Sequence, residues 1–248
     1  MSSKLSAIVV ALLLATPGGA FAQTVASDRG FISINGGYRV SSNDFQDSAT
    51  FHANAEERRF DTDYAVRSGP VFDVSGGVFV KPTLAVGAGL SRYSRSTPIA
   101  LIGSVPHPFF FDRSRSVSGE VVGLKREELA VHVQARGVFP VSRRLQVALF
   151  GGPSYFRIAQ GVVTGFVYGD TYPYDEASFR SAETAKATQS TLGFNAGGDV
   201  AIFFTSRVGV GFSAQYAGAT VDLPSANGGT TKVKAGGTST GAGLRLRF

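Results

Sequence analysis

The sequence predicts an all-β protein, an eight-stranded antiparallel up-and-down transmembrane β-barrel, and three observations carry that reading. Apolar and polar residues alternate along eight segments, the connections between them alternate between short turns and long polar stretches, and the last segment closes on Phe248 with Leu244 and Leu246 on the same face. Side chains of a strand point to opposite faces in turn, so strict alternation sets an apolar medium on one side against a polar one on the other. Repeated segments of roughly ten residues with this dyad period, separated by turn residues, are the pattern of strands that cross a membrane as a barrel.

The first strand, 31–40, sets Ile32, Ile34, Gly36, Tyr38 and Val40 against Ser33, Asn35 and Arg39. The second, 67–80, sets Phe72, Val74, Gly76, Val78 and Val80 against Asp73 and Ser75. A tight turn at Lys81, Pro82 and Thr83 leads to the third, 84–95, with Leu84, Val86, Ala88 and Leu90 on one face. In the fourth, 125–139, Leu129, Val131, Val133, Ala135 and Phe139 alternate with Glu128, His132, Gln134 and Arg136. The fifth, 145–157, carries Leu145, Val147 and Leu149 opposite Gln146 and Ala148. The sixth, 188–204, carries Leu192, Phe194, Ala196, Val200 and Ile202 opposite Asn195 and Asp199. The seventh, 208–220, places Val210, Phe212, Ala214 and Tyr216 opposite Ser213 and Gln215, and the eighth is 233–248.

Short turns fall at 81–83, 140–144 and 205–207, whereas 41–66, 96–124, 158–187 and 221–232 read as long polar loops. Outer-membrane barrels pair short periplasmic turns with longer extracellular loops. Eight strands then put both chain ends on the periplasmic side, and an even, closed ring leaves no unpaired backbone in lipid. Paired glycines at 36–37, 76–77, 197–198 and 236–237 fall inside strands, where they relieve crowding in a narrow, curved wall. None opens a helix, so none is a phosphate loop.

The amino-terminal stretch is a different kind of segment. Lys4 precedes an apolar run, and Ala20-Phe21-Ala22 has the small-x-small form of a cleavage site, so residues 1–22 are expected to be a secretory signal peptide. The unbroken apolar part, 8–15, is far short of the roughly 20 residues a spanning helix needs. A short periplasmic segment, 23–30, and the barrel, 31–248, then make up the mature chain. Loss of Lys4 alone leaves 23 basic against 18 acidic residues, a surplus too small and too scattered for a nucleic-acid-binding arm, so no nucleic acid is expected as partner. The absence of cysteine excludes lipid attachment at a processed Cys, disulfides and thiolate metal sites. With 31 glycines and 28 Phe and Tyr residues but no repeat period, the composition fits a barrel and not a fibrous protein.

The signal segment, the eight strands and the terminal Leu244-x-Leu246-x-Phe248 resemble the small outer-membrane β-barrel family typified by the OmpA and OmpX barrels. The resemblance covers essentially the whole mature chain and rests on alternation, not on chemistry. It implies the outer membrane of a Gram-negative bacterium. It also implies insertion by the barrel assembly machinery, for which Leu244, Leu246 and Phe248 would be the assembly signal. A peptidoglycan-binding domain of the kind carried by full-length OmpA proteins is not implied.

Lipid-facing aromatic residues should gather at the two bilayer interfaces. Tyr38, Phe72, Tyr155, Phe194 and Tyr216 are expected near the loop end of the outward face, and Phe139, Phe204 and Phe248 near the turn end. A soluble barrel or sandwich, the alternative, leaves the terminal aromatic and the alternating connections unexplained. The interior would hold Arg39, Asp73, Glu128, His132, Arg136, Asn195, Asp199, Gln215 and Arg245. An eight-stranded lumen is just wide enough for side chains to fill, and buried charges must be paired. A polar plug is therefore expected, built on Arg39, Asp73, Glu128, Arg136, Asp199 and Arg245, in which Asp199 sits among Arg136 and Arg245.

In size the chain is similar to lipid A deacylases, which use a His-x-Ser pair with a carboxylate on the outer face. Here Val133 and Gln134 follow His132, and His52 and His107 lie in loops without a Ser/Asp constellation, so no enzyme activity, no cofactor and no metal are expected. Pro106-His107-Pro108-Phe109-Phe110-Phe111 is the most distinctive loop sequence. Arg92, Arg95, Arg113, Arg115 and Arg126 are candidate rim contacts to lipopolysaccharide phosphates, through charge-assisted bidentate pairing. The expected role is structural or surface-interacting, of the adhesion type, for a monomer with a largely sealed lumen. The alternative is a porin-like narrow channel or a binder of a small solute or lipid.

Overall fold

The computed structural model describes residues 29–248, apart from 42, 54, 55, 226 and 227; the expected signal peptide and most of the segment 23–30 lie outside the described residues. The strands are β1 (Gly30–Arg39), β2 (Phe45–Ala53), β3 (Glu56–Tyr64), β4 (Gly69–Lys81), β5 (Leu84–Ser96), β6 (Ile99–Pro106), β7 (Ser114–Val121), β8 (Lys125–Pro140), β9 (Leu145–Thr171), β10 (Glu176–Phe203), β11 (Val208–Pro224) and β12 (Thr230–Arg247). Eight of them close into a barrel in the order β1-β12-β11-β10-β9-β8-β5-β4, and these are the eight strands the alternation predicts.

Closure is made by β1, which pairs β12 through Ile32 with Leu246 and Ile34 with Leu244, and β4 through Ile34 with Val74. The wall therefore has no free edge and every strand finds partners on both sides. Its outward face carries Ile34, Phe72, Val86, Val133, Leu149, Val200, Phe212 and Leu244, all exposed, whereas Asn35, His132, Gln134, Asp199 and Arg245 are buried inside. A continuous apolar girdle of this extent is far larger than a soluble monomer leaves in water, and lipid is the medium that covers it.

The long connections depart from expectation. Segments 41–66 and 96–124 are not loops throughout: each contains a hairpin, β2–β3 and β6–β7, and the two join as a four-stranded sheet ordered β2-β3-β6-β7. Segment 158–187 is largely the continuation of β9 and β10, which stay paired up to Thr171 and Glu176. The fourteen residues of β9 beyond Arg157 run about 45 Å along the strand at about 3.3 Å per residue.

The sheet and this tall hairpin form a cap with its own core. On β3, Phe60, Thr62 and Tyr64 are buried while Asp61 and Asp63 face out, and on β6 Ile99, Leu101 and Val105 turn inward. Phe166 of β9 meets Phe60 edge-on at 5.5 Å, and its ring lies over Gly103, where a Cβ would come within 2.7 Å. The Phe179 ring of β10 lies on Gly119 in the same way. Two glycines thus open the sheet face to two aromatic rings. Phe45 stacks flat on Tyr64 at 4.5 Å, and the Tyr64 hydroxyl accepts a hydrogen bond from the Val163 amide at 2.8 Å.

Two outcomes are expected. Gly119→Val should displace the Phe179 ring and loosen the cap by about 1–3 kcal/mol, the usual effect of overpacking, read as faster proteolysis within 158–187 while the barrel keeps its gel mobility. Burial raises the Tyr64 phenol above its ordinary value of 10.0, with the Val163 amide pulling the other way. The folded cap therefore holds this proton more tightly than the unfolded chain. That contribution is fully present below pH 10 and is lost as pH rises through the higher folded value. Proteolysis of the cap should accelerate above pH 10, and less so in Tyr64→Phe.

Candidate functional site

Three layers of polar side chains fill the lumen, each placed inward by strand parity. At the short-turn end, Asp199 of β10 accepts from Arg136 of β8 at 2.9 Å and is paired with Arg245 of β12, whose Nε lies 3.0 Å from the carboxylate. Arg245 Nη1 also donates to Asn35 Oδ1 at 2.7 Å, and Asn35 Nδ2 donates to Asp73 at 3.1 Å. Two guanidiniums and two carboxylates meet here, so the buried cluster is formally neutral, the condition under which charge is tolerated away from water. The Arg136 guanidinium also lies 4.9 Å from the Phe31 ring centre.

In the middle layer, Gln134 Nε2 donates to Asn195 Oδ1 at 3.0 Å, and Asn195 Nδ2 donates to Ser154 Oγ at 2.9 Å. Ser154 lies 2.8 Å from His132 Nδ1, and Ser91 lies 2.9 Å from His132 Nε2. A neutral imidazole has one donor and one acceptor nitrogen, so one serine donates to the ring and the other accepts. The sequence offers no Ser near His132, but the sheet brings two to it. The ring is fully enclosed, and none of these hydrogen bonds joins it to a carboxylate.

The upper layer centres on Glu128, which pairs with Arg39 at 2.9 Å and Arg126 at 2.6 Å and accepts the Gly236 amide at 2.9 Å. Gly236 has φ of 81°, the left-handed region that glycine reaches without strain, and so turns its N–H into the lumen. Arg39 lies over the Tyr93 ring at 3.9 Å. An apolar core begins beside this layer, where register sets Ile158 opposite Glu128 and Phe156 opposite Ala130, and continues toward the cap in Val162, Val221, Leu223 and Val233, with the buried Gln160 opposite Arg126 among them; Phe45 packs on this core as well as on that of the cap. Water-sized cavities lie in this filling beside Arg39 and Glu128, beside Arg136 and Asp199, and beside Asn35 and Asp73.

Of the five arginines expected at a lipid-facing rim, the structure places three elsewhere, two of them buried. Arg126 shares the parity of Glu128 and His132 and is buried in the lumen, where Nη2 donates to the Lys234 carbonyl at 2.7 Å. Arg115 shares the parity of Val117 and is buried in the cap, pairing with Asp170 at 2.6 Å and donating to the carbonyls of Pro106, Tyr174 and Glu176. Neither can present its guanidinium to a headgroup. Arg113 is exposed and paired with Asp175 at 2.7 Å, far out on the cap, while Arg92 and Arg95 are exposed at the barrel rim.

Sequence reasoning missed the cations that join Arg92. Lys125 and Lys186 flank Glu127 at 2.8 and 3.0 Å, Arg92 stands 3.9 Å from the same carboxylate, and strand register sets Arg157 beside Leu129 on the same outward face. The four bases come from β5, β8, β9 and β10, each about thirty residues from the next in sequence, and are neighbours only once the wall has formed.

The outward aromatic residues form two groups. Tyr38, Phe72, Tyr155, Phe194 and Tyr216 are exposed toward the cap end, with Phe194 and Tyr216 rings 5.6 Å apart, and Phe139, Phe204 and Phe248 are exposed toward the turn end. The Phe248 carbonyl accepts the amides of Arg29 and Gly30 at 2.6 and 2.8 Å, tying the last residue to the first strand.

Closed wall, apolar girdle and polar filled interior together define a small transmembrane β-barrel of the outer-membrane type. No family model matches the sequence, and no curated protein matches it. Similar solved structures include the outer membrane protease OmpT from Escherichia coli (9% identity, 93% of this chain and 100% of that one, TM-score 0.48). The outer membrane protein OprG from Pseudomonas aeruginosa is also similar (13%, 91% and 99%, 0.46). So is the Neisserial surface protein NspA (10%, 88% and 97%, 0.45).

Asp199→Ala would leave Arg136 and Arg245 without their shared counter-charge. It should destabilise the barrel by about 3–5 kcal/mol, the usual consequence of stranding buried charge. The chain has no Trp, so the loss is read from the urea midpoint of the gel-mobility shift and from circular dichroism.

Proposed function

We propose that this chain is an integral outer-membrane protein of a Gram-negative bacterium that works at its surface, in an adhesion-type role, and not by catalysis or passage of solute. Its cap faces the cell exterior and both barrel ends of the chain face the periplasm. The observation that carries the reading is the seal: an apolar core begins beside Glu128, fills the lumen toward the cap with Val162, Val221, Leu223 and Val233, and continues through Phe45 into the core of the cap. A channel would need that path open, and an eight-stranded lumen already leaves little room. The polar network below the seal then specifies and holds the barrel. The two aromatic groups serve as interfacial belts, and Leu244, Leu246 and Phe248 as the strand offered to the assembly machinery.

The chain is a monomer in lipid, and its partners in the membrane are outer-leaflet lipopolysaccharides. Arg92, Lys125, Arg157 and Lys186 stand on the outward face at the rim of the apolar girdle, the height at which lipid phosphates lie, and three cations around Glu127 with Arg157 nearby leave a surplus of positive charge there.

Mature protein in planar bilayers should be electrically silent; discrete openings in the wild type would overturn the sealed reading. The paired change Arg157→Glu and Lys186→Glu should lower the phosphate of co-purified lipopolysaccharide. Arg143→Glu, in the turn at the opposite end, should leave it unchanged.

A further inference from the structure

The distal end of the cap is an aromatic tip built from two hairpins that are far apart in sequence. Phe109, Phe110 and Phe111, between β6 and β7, are 68%, 57% and 78% exposed, and Tyr172, between β9 and β10, is 83% exposed. One side of Phe109 and Phe110 packs on Tyr174 and His107, but most of each ring, and nearly all of Phe111 and Tyr172, is turned to the surroundings. The base beneath them is firm. Buried Arg115 bonds to both hairpins at once, through Pro106 on its own side and Asp170, Tyr174 and Glu176 on the other. Arg113 pairs with Asp175 across the same junction, and Phe109 meets Tyr174 edge-on at 5.2 Å. Asp112 and Tyr174 both hold left-handed backbone, φ 57° and 74°, one in each hairpin tip.

We infer that this tip inserts into the interface of a second lipid bilayer, one facing the cell that carries the protein. The inference rests on the surface-acting reading above and names the partner for it. Shape and chemistry select the occupant. The exposed rings stand on hairpin tips and fill no groove of this chain. Phenylalanine has no polar atom with which to recognise sugar hydroxyls, but it enters the boundary between headgroups and acyl chains readily. The charges around the tip, Asp112, Arg113 and Asp175, carry no positive surplus, which favours zwitterionic over anionic headgroups. The cell's own membrane is out of reach, because the hairpin carries the tip well beyond the rim marked by Tyr155 and Arg157.

The test uses the mature protein in nanodiscs, mixed with vesicles of pure phosphatidylcholine and separated by flotation. Wild type should float with the vesicles, and should still do so in about 1 M salt, where the screening length is about 3 Å. The triple change Phe109→Ser, Phe110→Ser, Phe111→Ser should weaken binding by about tenfold or more, since each buried ring contributes strongly to partition. Protease resistance of the cap must stay as in wild type. In a chain without native Trp, Phe110→Trp should shift its emission to the blue and be quenched by brominated lipid. Absence of flotation, flotation equal in the triple variant, binding lost in salt, or association of nanodiscs without vesicles would each overturn the inference. A protein that ignores vesicles yet stays silent in planar bilayers would remove the lipid partner and leave the surface role standing; an open channel would remove that role.

Discussion

Lipid offers the backbone no hydrogen-bond partner, and the pairing of β1 with β12 is the contact through which this chain meets that constraint. Without it, two strand edges would face the acyl chains with every other group unpaired. With it, the wall is continuous, parity becomes absolute, and each residue is committed either to lipid or to a lumen only wide enough for side chains. The buried arginines and carboxylates follow from that geometry: inward positions must be filled, water is scarce, and mutual neutralisation is the tolerable filling.

The lumen changes character along its axis. Near the turns it is a neutral network around Asp199; in the middle, hydroxyl and amide groups satisfy His132; higher up, Glu128 collects Arg39, Arg126 and the Gly236 amide. Beyond Glu128, toward the cap, apolar side chains such as Val162, Val221, Leu223 and Val233 predominate. Polar filling fixes register, because most of the partners lie on different strands, as Arg136, Asp199 and Arg245 do. Apolar filling continues into the cap and makes the connections part of one solid body.

How much of this was legible depended on how long the alternation ran. The eight wall strands alternate over ten or more residues against a uniform medium, so their positions and their facing could be read directly, and Asp199 could be set between Arg136 and Arg245. The cap strands were missed because their signal is short. On β3, Phe60, Thr62 and Tyr64 turn inward, alternating with acidic residues that give the segment the look of a solvated loop. Arg126 was misplaced for a different reason: its charge suggested the rim, although its parity with Glu128 already assigned it to the lumen. Charge says what a side chain prefers, whereas parity says where the backbone puts it. Arg92, Lys125, Arg157 and Lys186 could not have been grouped from sequence at all, since their proximity exists only across four paired strands.

The interleaving of cap and wall has a consequence for how the protein reaches its final state. The sheet strands come from two connections and their packing partner, the β9–β10 hairpin, from a third, so the core around Phe60 and Phe166 cannot form until all three segments have met. Once Phe166 and Phe179 settle on the glycines of the sheet, separation of any one segment requires opening the core shared by all three, and the cap acts as a latch on the three connections.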